Sequence, residues 1–331
     1  MSTGVSIIIC CYNSSSVLPE TLKHIKWQKL SGADCEVIVV DNASIDNTQQ
    51  IAKSVWNNYS AIEFKIVYEA KPGLSEARRK GVGEAKYEYL IFCDDDNWLD
   101  ENYVQNVYEL FQLNPQVAIL GGCGTAEFED ISLKPEWFDN LFHGYAVGPQ
   151  ASEECELNGV YGAGMALRKS IIERTLGKQP LLLHGRKQNS LSAGDDAEIC
   201  IRIRMAGYKI LYSPQLTFKH FLPGKRLTWE YLKKLHTGFA QMHVIINLHE
   251  RALDYGYAKL PAFYWLTRAW YFWGIYIKYW PKHHRAYSKT IGTIDEIHHI
   301  TWGSIGASYL KYNFKTIGIY KQIIALKTNS C

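Results

Sequence analysis

Three consecutive carboxylates, Asp94-Asp95-Asp96, directly follow the apolar run Tyr89–Cys93. Neighbouring carboxylates repel one another and are tolerated only where water solvates them or a cation neutralises them. Alternate members, Asp94 and Asp96, can converge on a hard divalent ion such as Mg²⁺ or Mn²⁺, which keeps waters and shares substrate phosphates. The plainer alternative is an acidic loop that caps a helix beginning near Asp100. A second acidic constellation, Gly194-Asp195-Asp196-Ala197-Glu198, opens a helix that runs through Met205 and that Gly207 can terminate. Smaller polar clusters are Tyr12-Asn13, Asp41-Asn42 with Ser44 and Asp46, and Lys71-Pro72-Gly73.

These clusters need a scaffold that brings them together. Short apolar, β-branched runs recur at Val5–Cys11, Glu36–Val40, Phe64–Tyr68, Tyr89–Cys93, Val117–Gly121, Met165–Leu167 and Tyr208–Tyr212. Near-continuous hydrophobicity marks strands buried on both faces, as in a parallel sheet. Helix-like stretches lie between the first strands: Val17–Leu30, Asp46–Trp56, Leu74–Lys86 and Asp100–Leu113. Pro19 suits a first helical turn, and Asp46 and Asp100 suit helix N-termini. Alternation of strand and helix predicts a doubly wound α/β domain. In such sheets ligands bind beyond the carboxyl ends of the strands, where four of the polar clusters fall. The first strand-to-helix turn, Cys11-Tyr12-Asn13-Ser14-Ser15-Ser16, contains no glycine. That argues against a dinucleotide-binding fold, and no P-loop pattern occurs either.

The chain has 331 residues, of which 47% are hydrophobic and 21% charged, enough for a sizeable core and too apolar for general disorder. Net charge is +3, so no global positive field speaks for nucleic-acid binding. Charge is uneven: from Lys219 onward there are 16 Lys/Arg against 5 Asp/Glu, and that part holds 22 aromatic residues. Two regions are therefore expected, residues 1–218 and a basic, aromatic-rich helical region over 219–331. Thr125–Gly159 reads as a long irregular insertion (about 125–160) of the kind that carries function. Helical periodicity runs from Thr228 to His249, with later helices broken at Pro261, Pro281 and Gly303. Eight cysteines without a CxxC spacing fit a reduced, cytoplasmic chain. No signal-peptide pattern is seen, and the nearest approach to a membrane span, Leu260–Trp280, is interrupted by Arg268 and Lys278.

Four stretches in order, Ser6-Ile-Ile-Ile-Cys-Cys-Tyr-Asn13, Val37-Ile-Val-Val-Asp41-Asn-Ala-Ser44, Lys71-Pro-Gly-Leu-Ser-Glu-Ala-Arg78-Arg-Lys-Gly81 and Phe92-Cys-Asp-Asp-Asp96, resemble family 2 glycosyltransferases over roughly residues 4–230. The resemblance implies a GT-A fold (Rossmann-like, mostly parallel, helices on both faces) and inverting chemistry on a nucleotide-sugar donor. It implies that Asp41 contacts the nucleotide base, with Tyr12, Asn13, Ser44 and Glu20 nearby. A simple turn role for Asp41 remains open. Arg78 matches a basic position lining the donor site, whereas Arg79 and Lys80 read as a solvated helix face. Asp94 and Asp96, with Asp95 between them, correspond to the family's metal motif: Asp94 near the ribose or a metal-bound water, Asp96 on the metal.

The family usually carries Glu-Asp where this chain has Asp195-Asp196, a conservative departure. The general base that deprotonates the acceptor hydroxyl is then Asp196, with Asp195 as the alternative, and either can also cap the helix. His220 corresponds to a metal ligand or diphosphate contact in related enzymes, against an ordinary surface histidine. Lys225 and Arg226 can reach the diphosphate, although a solvated loop is the plainer reading. Gly162-Ala-Gly-Met165 resembles a segment beside sugar and acceptor, where glycine permits close backbone approach.

The expectation is thus a metal-dependent (Mn²⁺ or Mg²⁺) inverting transferase acting on a nucleotide-diphosphate sugar. UDP is favoured only by its frequency in the family. The acceptor is a hydroxyl of a glycan or lipid-linked molecule in cell-surface polysaccharide synthesis. A polyprenyl-phosphate sugar synthase is the alternative, disfavoured because an ionised phosphate needs no strong base. A non-catalytic nucleotide-sugar binder is a second alternative. The aromatic segment Tyr264–Trp280 suits peripheral contact at the inner face of a membrane, a helical core, or a homo-oligomer interface.

Overall fold

The computed structural model describes residues 2–57, 59, 61–177, 179–186, 193–256, 259–287 and 293–328. The first half alternates strand and helix: β1 Ser2–Cys11, α1 Leu18–Lys26, β2 Asp34–Asp41, α2 Thr48–Trp56, β3 Glu63–Tyr68, α3 Leu74–Glu84 and β4 Tyr87–Asp94. Next come β5 Asn97–Leu99, α4 Tyr103–Leu113, β6 Val117–Phe128, α5 Phe138–Leu141, β7 Cys155–Glu156, β8 Ala166–Arg168, α6 Lys169–Leu176, α7 Asp195–Met205 and β9 Lys209–Leu222. The remaining elements are α8 Trp229–Tyr255, α9 Tyr264–Tyr287, α10 Ile294–Tyr312 and α11 Lys315–Thr328.

One sheet runs in the order β3-β2-β1-β4-β8-β6-β9-β5, with β7 also on β9. The block β3-β2-β1-β4 is parallel, as is β6 with β9, whereas β8, β5 and β7 pair antiparallel. Both faces of β1 are buried. Ile7 and Ile9 join Leu18, Leu22 and Tyr103 on one side, and Ile8 joins Ile38, Leu90 and Ile203 on the other. This double burial is why the strand sequences read as unbroken apolar runs.

Helix ends follow local chemistry. Asp46 Oδ1 accepts from Thr48 N (3.0 Å), so Asp46 lies just before α2 rather than within it. The N-cap Thr228 accepts from Tyr231 N (3.2 Å) at the start of α8. Gly207, at φ +85°, closes α7 as its sequence position predicts.

Several expectations are corrected. Helix α9 continues through Pro281 to Tyr287, and Gly303 lies inside α10. A Cβ at Gly303 would stand 2.9 Å from the Tyr276 ring, so this glycine serves close packing of α10 on α9 and not a break. Residues 218 and 219 lie within β9, and the helices begin at Trp229. Thr125–Phe128 still belongs to β6, and β5 and β7 carry no clear strand signal because they are three and two residues long.

The helical region packs on the sheet domain through two seams. Phe138, Leu141 and Tyr145 share a cluster with Leu222, Leu232 and Ile297. At the other seam Glu198 of α7 is fully buried, pairs with Arg202 at 2.5 Å and lies 3.8 Å from His249 Nε2 of α8.

Helix α3, which carries Arg78, approaches the sheet closely: a Cβ at Gly81 would fall 2.3 Å from Ile8 Cγ2. Gly81→Val is expected to lower stability by about 1–3 kcal/mol through overpacking. A urea unfolding midpoint equal to that of the parent chain would refute this close fit.

Candidate functional site

Strand register brings the polar clusters to one edge. Cys11 pairs with Asp41 and Cys10 with Asp94, so the carboxyl ends of β2, β1 and β4 lie side by side. The turn after β1 is held to the turn after β2. Asn13 N donates to Ser44 Oγ (2.9 Å), Ile45 N donates to Asn13 Oδ1 (2.9 Å), and Asn13 sits at φ +54°. Asp41 is buried, and accepts from Ser44 N (3.1 Å) and from Gln49 Nε2. Asp41 therefore does act as a turn residue, with Tyr12, exposed, on the neighbouring turn.

Asn42 was not among the expected site residues, yet it sets the entry to α3. Its Nδ2 donates to the carbonyls of Glu69 (3.1 Å) and Lys71 (2.8 Å), and its Oδ1 accepts from Gly73 N (2.7 Å). Its signal in the sequence was the Asp-Asn turn dipeptide.

The two acidic constellations meet at Arg78. This side chain is buried; Nη1 donates to Asp195 Oδ2 at 2.8 Å, and Nη2 lies 3.7 Å from Asp94 Oδ1. Its guanidinium also lies over the Phe92 ring at 4.8 Å. Burial opposes its charge, but Asp195 and Asp94 more than compensate and raise its pKa. Arg78 is thus an internal bridge between the clusters. Arg79 and Lys80 remain on the outer face, paired with Glu76 and Glu84.

Each acid of the triplet has a different environment. Burial raises the pKa of Asp94, with Arg78 pulling it back. Asp95 accepts from Ser14 Oγ, and its own carbonyl accepts from Thr21 Oγ1 at 2.6 Å. Burial, then the adjacent Asp96, pushes its carboxyl up to about 7. Asp96 is buried, with Oδ2 2.7 Å from Arg226 Nη1 and Oδ1 3.4 Å from His220 Nε2. Burial works against its charge, yet Arg226 and His220 hold it well below the usual carboxylate range.

Arg226 is therefore not in a solvated loop. Its turn is fastened by Tyr145 Oη, which donates to Arg226 O (2.8 Å), and by Gly224 N, which donates to Glu129 Oε2 (2.8 Å). Lys225 is exposed, as expected of the loop. His220 is buried, opposite Asn97 in the β5–β9 ladder, so it is not a surface histidine.

Asp196 begins α7 beside Asp195. Its Oδ2 accepts from Gly162 N (3.0 Å) and its Oδ1 from Ala197 N (2.8 Å). Burial first, then the Asp195 charge, raises its pKa. A Cβ at Gly162 would stand 3.1 Å from Asp196 Oδ2 and 3.2 Å from Arg78 Nη2, so a larger residue would require these side chains to give by a few tenths of an ångström. Gly185 plays a similar part, since a Cβ there would meet the Asp195 carboxyl at 2.9 Å. Arg186, one residue on, is exposed and adds positive potential at Asp94 and Asp96. Neither residue had a signal in the sequence, because loop position depends on tertiary packing. Glu20 pairs with Lys23 (2.7 Å) and His24 (3.9 Å) on its own helix. The structure does not join it to Asp41.

Carboxylate oxygens of Asp94 and Asp96 and one imidazole suit Mg²⁺ or Mn²⁺, and the buried His220 Nδ1 has no hydrogen-bond partner. Among the described residues no three His, Cys, Asp or Glu side chains form a ready-made cage. Such a set would hold an ion only together with ligands from outside the chain, since Arg226 already pairs with Asp96.

Removing one partner of a buried ion pair leaves an uncompensated charge at a cost of about 3–5 kcal/mol. Arg78→Met is accordingly expected to lose that much stability in urea titration. A midpoint shift under about a tenth of the parent stability would show that the acids do not need this bridge.

Comparison with known proteins places this geometry. The model of glycosyl transferase family 2 matches residues 6–176, which include Asp41, Arg78 and Asp94–Asp96 but not Asp195, Asp196 or His220. The cholesterol galactosyltransferase of Borreliella burgdorferi is 38% identical over 104 residues, 31% of this chain and 28% of that protein. The poly-beta-1,6-N-acetyl-D-glucosamine synthase of Staphylococcus epidermidis is 30% identical over 120 residues, 36% of this chain and 28% of that protein. The matched stretch thus spans little more than a quarter of either relative. The crystal structure of S. aureus TarS 1-349 in complex with UDP-GlcNAc has a TM-score of 0.50 at 12% identity, covering 97% of this chain and 92% of that one. A further crystal structure of S. aureus TarS gives a TM-score of 0.51 at 13% identity, covering 93% of this chain and 54% of that one. These likenesses show a shared GT-A-like fold with a helical C-terminal region. With more than half of its length under the family model, the chain belongs to glycosyl transferase family 2.

Proposed function

We propose that the chain transfers a sugar, with inversion, from a nucleotide-diphosphate sugar to a hydroxyl of a glycan or lipid-linked acceptor in polysaccharide synthesis. The observation that carries this reading is the convergence of Asp94 and Asp195 on one buried guanidinium, which puts the donor-side acids and the acid pair of α7 in one cleft. TarS, of the same fold, was crystallised with UDP-GlcNAc, which supports a UDP-linked donor.

In this reading the β1 and β2 turns, with Asp41, Asn13 and Ser44, receive the nucleoside. Asp94, Asp96 and His220 would hold a divalent ion that neutralises charge developing on the leaving diphosphate. Arg226 and Arg186 add positive charge near the same oxygens. Asp196 takes the proton from the acceptor hydroxyl as the oxygen attacks the anomeric carbon from the face opposite the diphosphate. Asp195 stays paired with Arg78 and fixes the start of α7, so Asp196 is the freer carboxylate. Gly162 leaves room for the approach of the acceptor.

Asp196→Asn is expected to lower transfer about 10²–10⁴-fold, the usual worth of a positioned base, while donor-induced thermal stabilisation is retained. The base works ionised, so the rate falls as pH drops through its pKa. Because that pKa is raised, the acid limb of kcat/KM should lie above the ordinary carboxylate value of about 4. Transfer by Asp196→Asn at the parent rate would sink the assignment.

Transfer is also expected to require Mn²⁺ or Mg²⁺, to stop with EDTA, and to lose its metal response in Asp96→Asn. Activity indifferent to both chelation and substitution would remove the metal from this reading.

A further inference from the structure

Helix α9 buries one side and leaves the other bare. Tyr264, Ala269 and Phe272 pack inward with Val244, Leu248 and Tyr309. Trp270, Tyr271 and Ile277 face outward, 69%, 57% and 61% exposed, and Phe263 just before the helix is 58% exposed. Trp270 and Ile277, two turns apart with Gly274 between them, share one outward stripe, and Tyr271 stands beside Trp270. Phe314 is likewise exposed and lies against Phe263, with ring centroids 6.1 Å apart, which extends the patch to the start of α11. A contiguous aromatic patch of this kind on a protein surface marks an interaction site.

The charge around the patch is mainly positive, with the acids Glu250, Asp295 and Glu296 at the ends of the helices. Lys278 on α9, Lys311 on α10 and Lys315 on α11 are exposed, and none forms an ion pair with a described acid. Arg268 lies over the Tyr271 ring at 5.1 Å. From Lys259 to the C-terminus the sequence has ten Lys/Arg and two acids, Asp295 and Glu296. Two copies of such a face repel each other, whereas an anionic surface attracts it. Indole and phenol side chains prefer the boundary between headgroups and acyl chains, and flanking lysines reach phosphates. Among the described residues no helix is long and apolar enough to cross a membrane, and Arg268 and Lys278 interrupt α9 itself.

We propose that this face docks on an anionic phospholipid bilayer, with α9 lying in the plane of the interface and its outward aromatic residues inserted at headgroup depth. The inference does not depend on the transfer reaction, because none of these residues belongs to the catalytic cleft.

The test is co-sedimentation of the full chain with vesicles of phosphatidylcholine, with or without phosphatidylglycerol, together with tryptophan fluorescence. Binding is expected only to the anionic vesicles, with a blue shift of the emission and release by salt. Lys315→Gln should weaken binding roughly fivefold, the worth of one cation near an anionic surface. Trp270→Glu should abolish it without lowering the melting temperature. Should Trp270→Glu fold poorly, Lys311→Gln with Lys315→Gln tests the same surface with its aromatic residues intact. Equal binding to both vesicles, or none to either, would overturn the proposal. So would a concentration-dependent dimer that Trp270→Glu dissolves, since a second copy would then cover the face.

Discussion

Five carboxyl groups crowd the cleft, and one buried guanidinium decides whether they can stay there. Asp94 and Asp195 come from elements a hundred residues apart in sequence, yet both face Arg78. Without that cation, burial at the strand ends would drive protons onto the acids or open the cleft. Even with it, Asp94, Asp95 and Asp196 all have raised pKa values. When ionised, the five carboxyl groups outnumber the guanidinium groups of Arg78 and Arg226 that face them, so the cleft keeps surplus negative charge, and Arg226 already pairs with Asp96. A site in that condition is complementary to cations and to polar ligands that bring cations with them. The same surplus makes the cleft a poor receptor for a bare anion.

Much of this arrangement could be read from the residues. The strands were legible because both faces of the sheet are buried, which makes runs such as Val5–Cys11 apolar throughout. The polar clusters were legible because they end those runs. What could not be read was whatever depends on distant segments meeting. The family resemblance set Arg78 apart from Arg79 and Lys80, but its burial between Asp94 and Asp195 comes only from packing. Arg226 looked like a loop residue, because nothing local announces that Tyr145 and Glu129 tie its turn to the acids. Pro281 and Gly303 looked like helix breakers, and the aromatic packing of α9 against α10 overrode that local preference.

The helical region is part of the same construction. Glu198, three residues after Asp195, accepts from Leu182 N (3.0 Å) and Leu183 N (2.6 Å), pairs with Arg202 and faces His249 of α8. Those amide groups begin the segment whose Gly185 presses on Asp195. The start of α7 is thus clamped from its own helix, from the preceding loop and from α8. Burial lowers the pKa of His249, although Glu198 partly restores it, so the seam is kept with little stray charge.

The ladder between β6 and β9 has an irregularity: Gly121 pairs with Tyr212, but Cys123 pairs with Thr217. Residues 213–216 therefore loop out of step, and the count of residues in that outpouching sets which side chain of β9 arrives opposite Asn97. One residue more or fewer would bring Lys219 or Phe221 to the place of His220 and turn the imidazole to the other face. A change of length in this short stretch of β9 should consequently be rejected. That small kink thus acts as a counting device, which spaces the imidazole from the turn as much as it bends the strand.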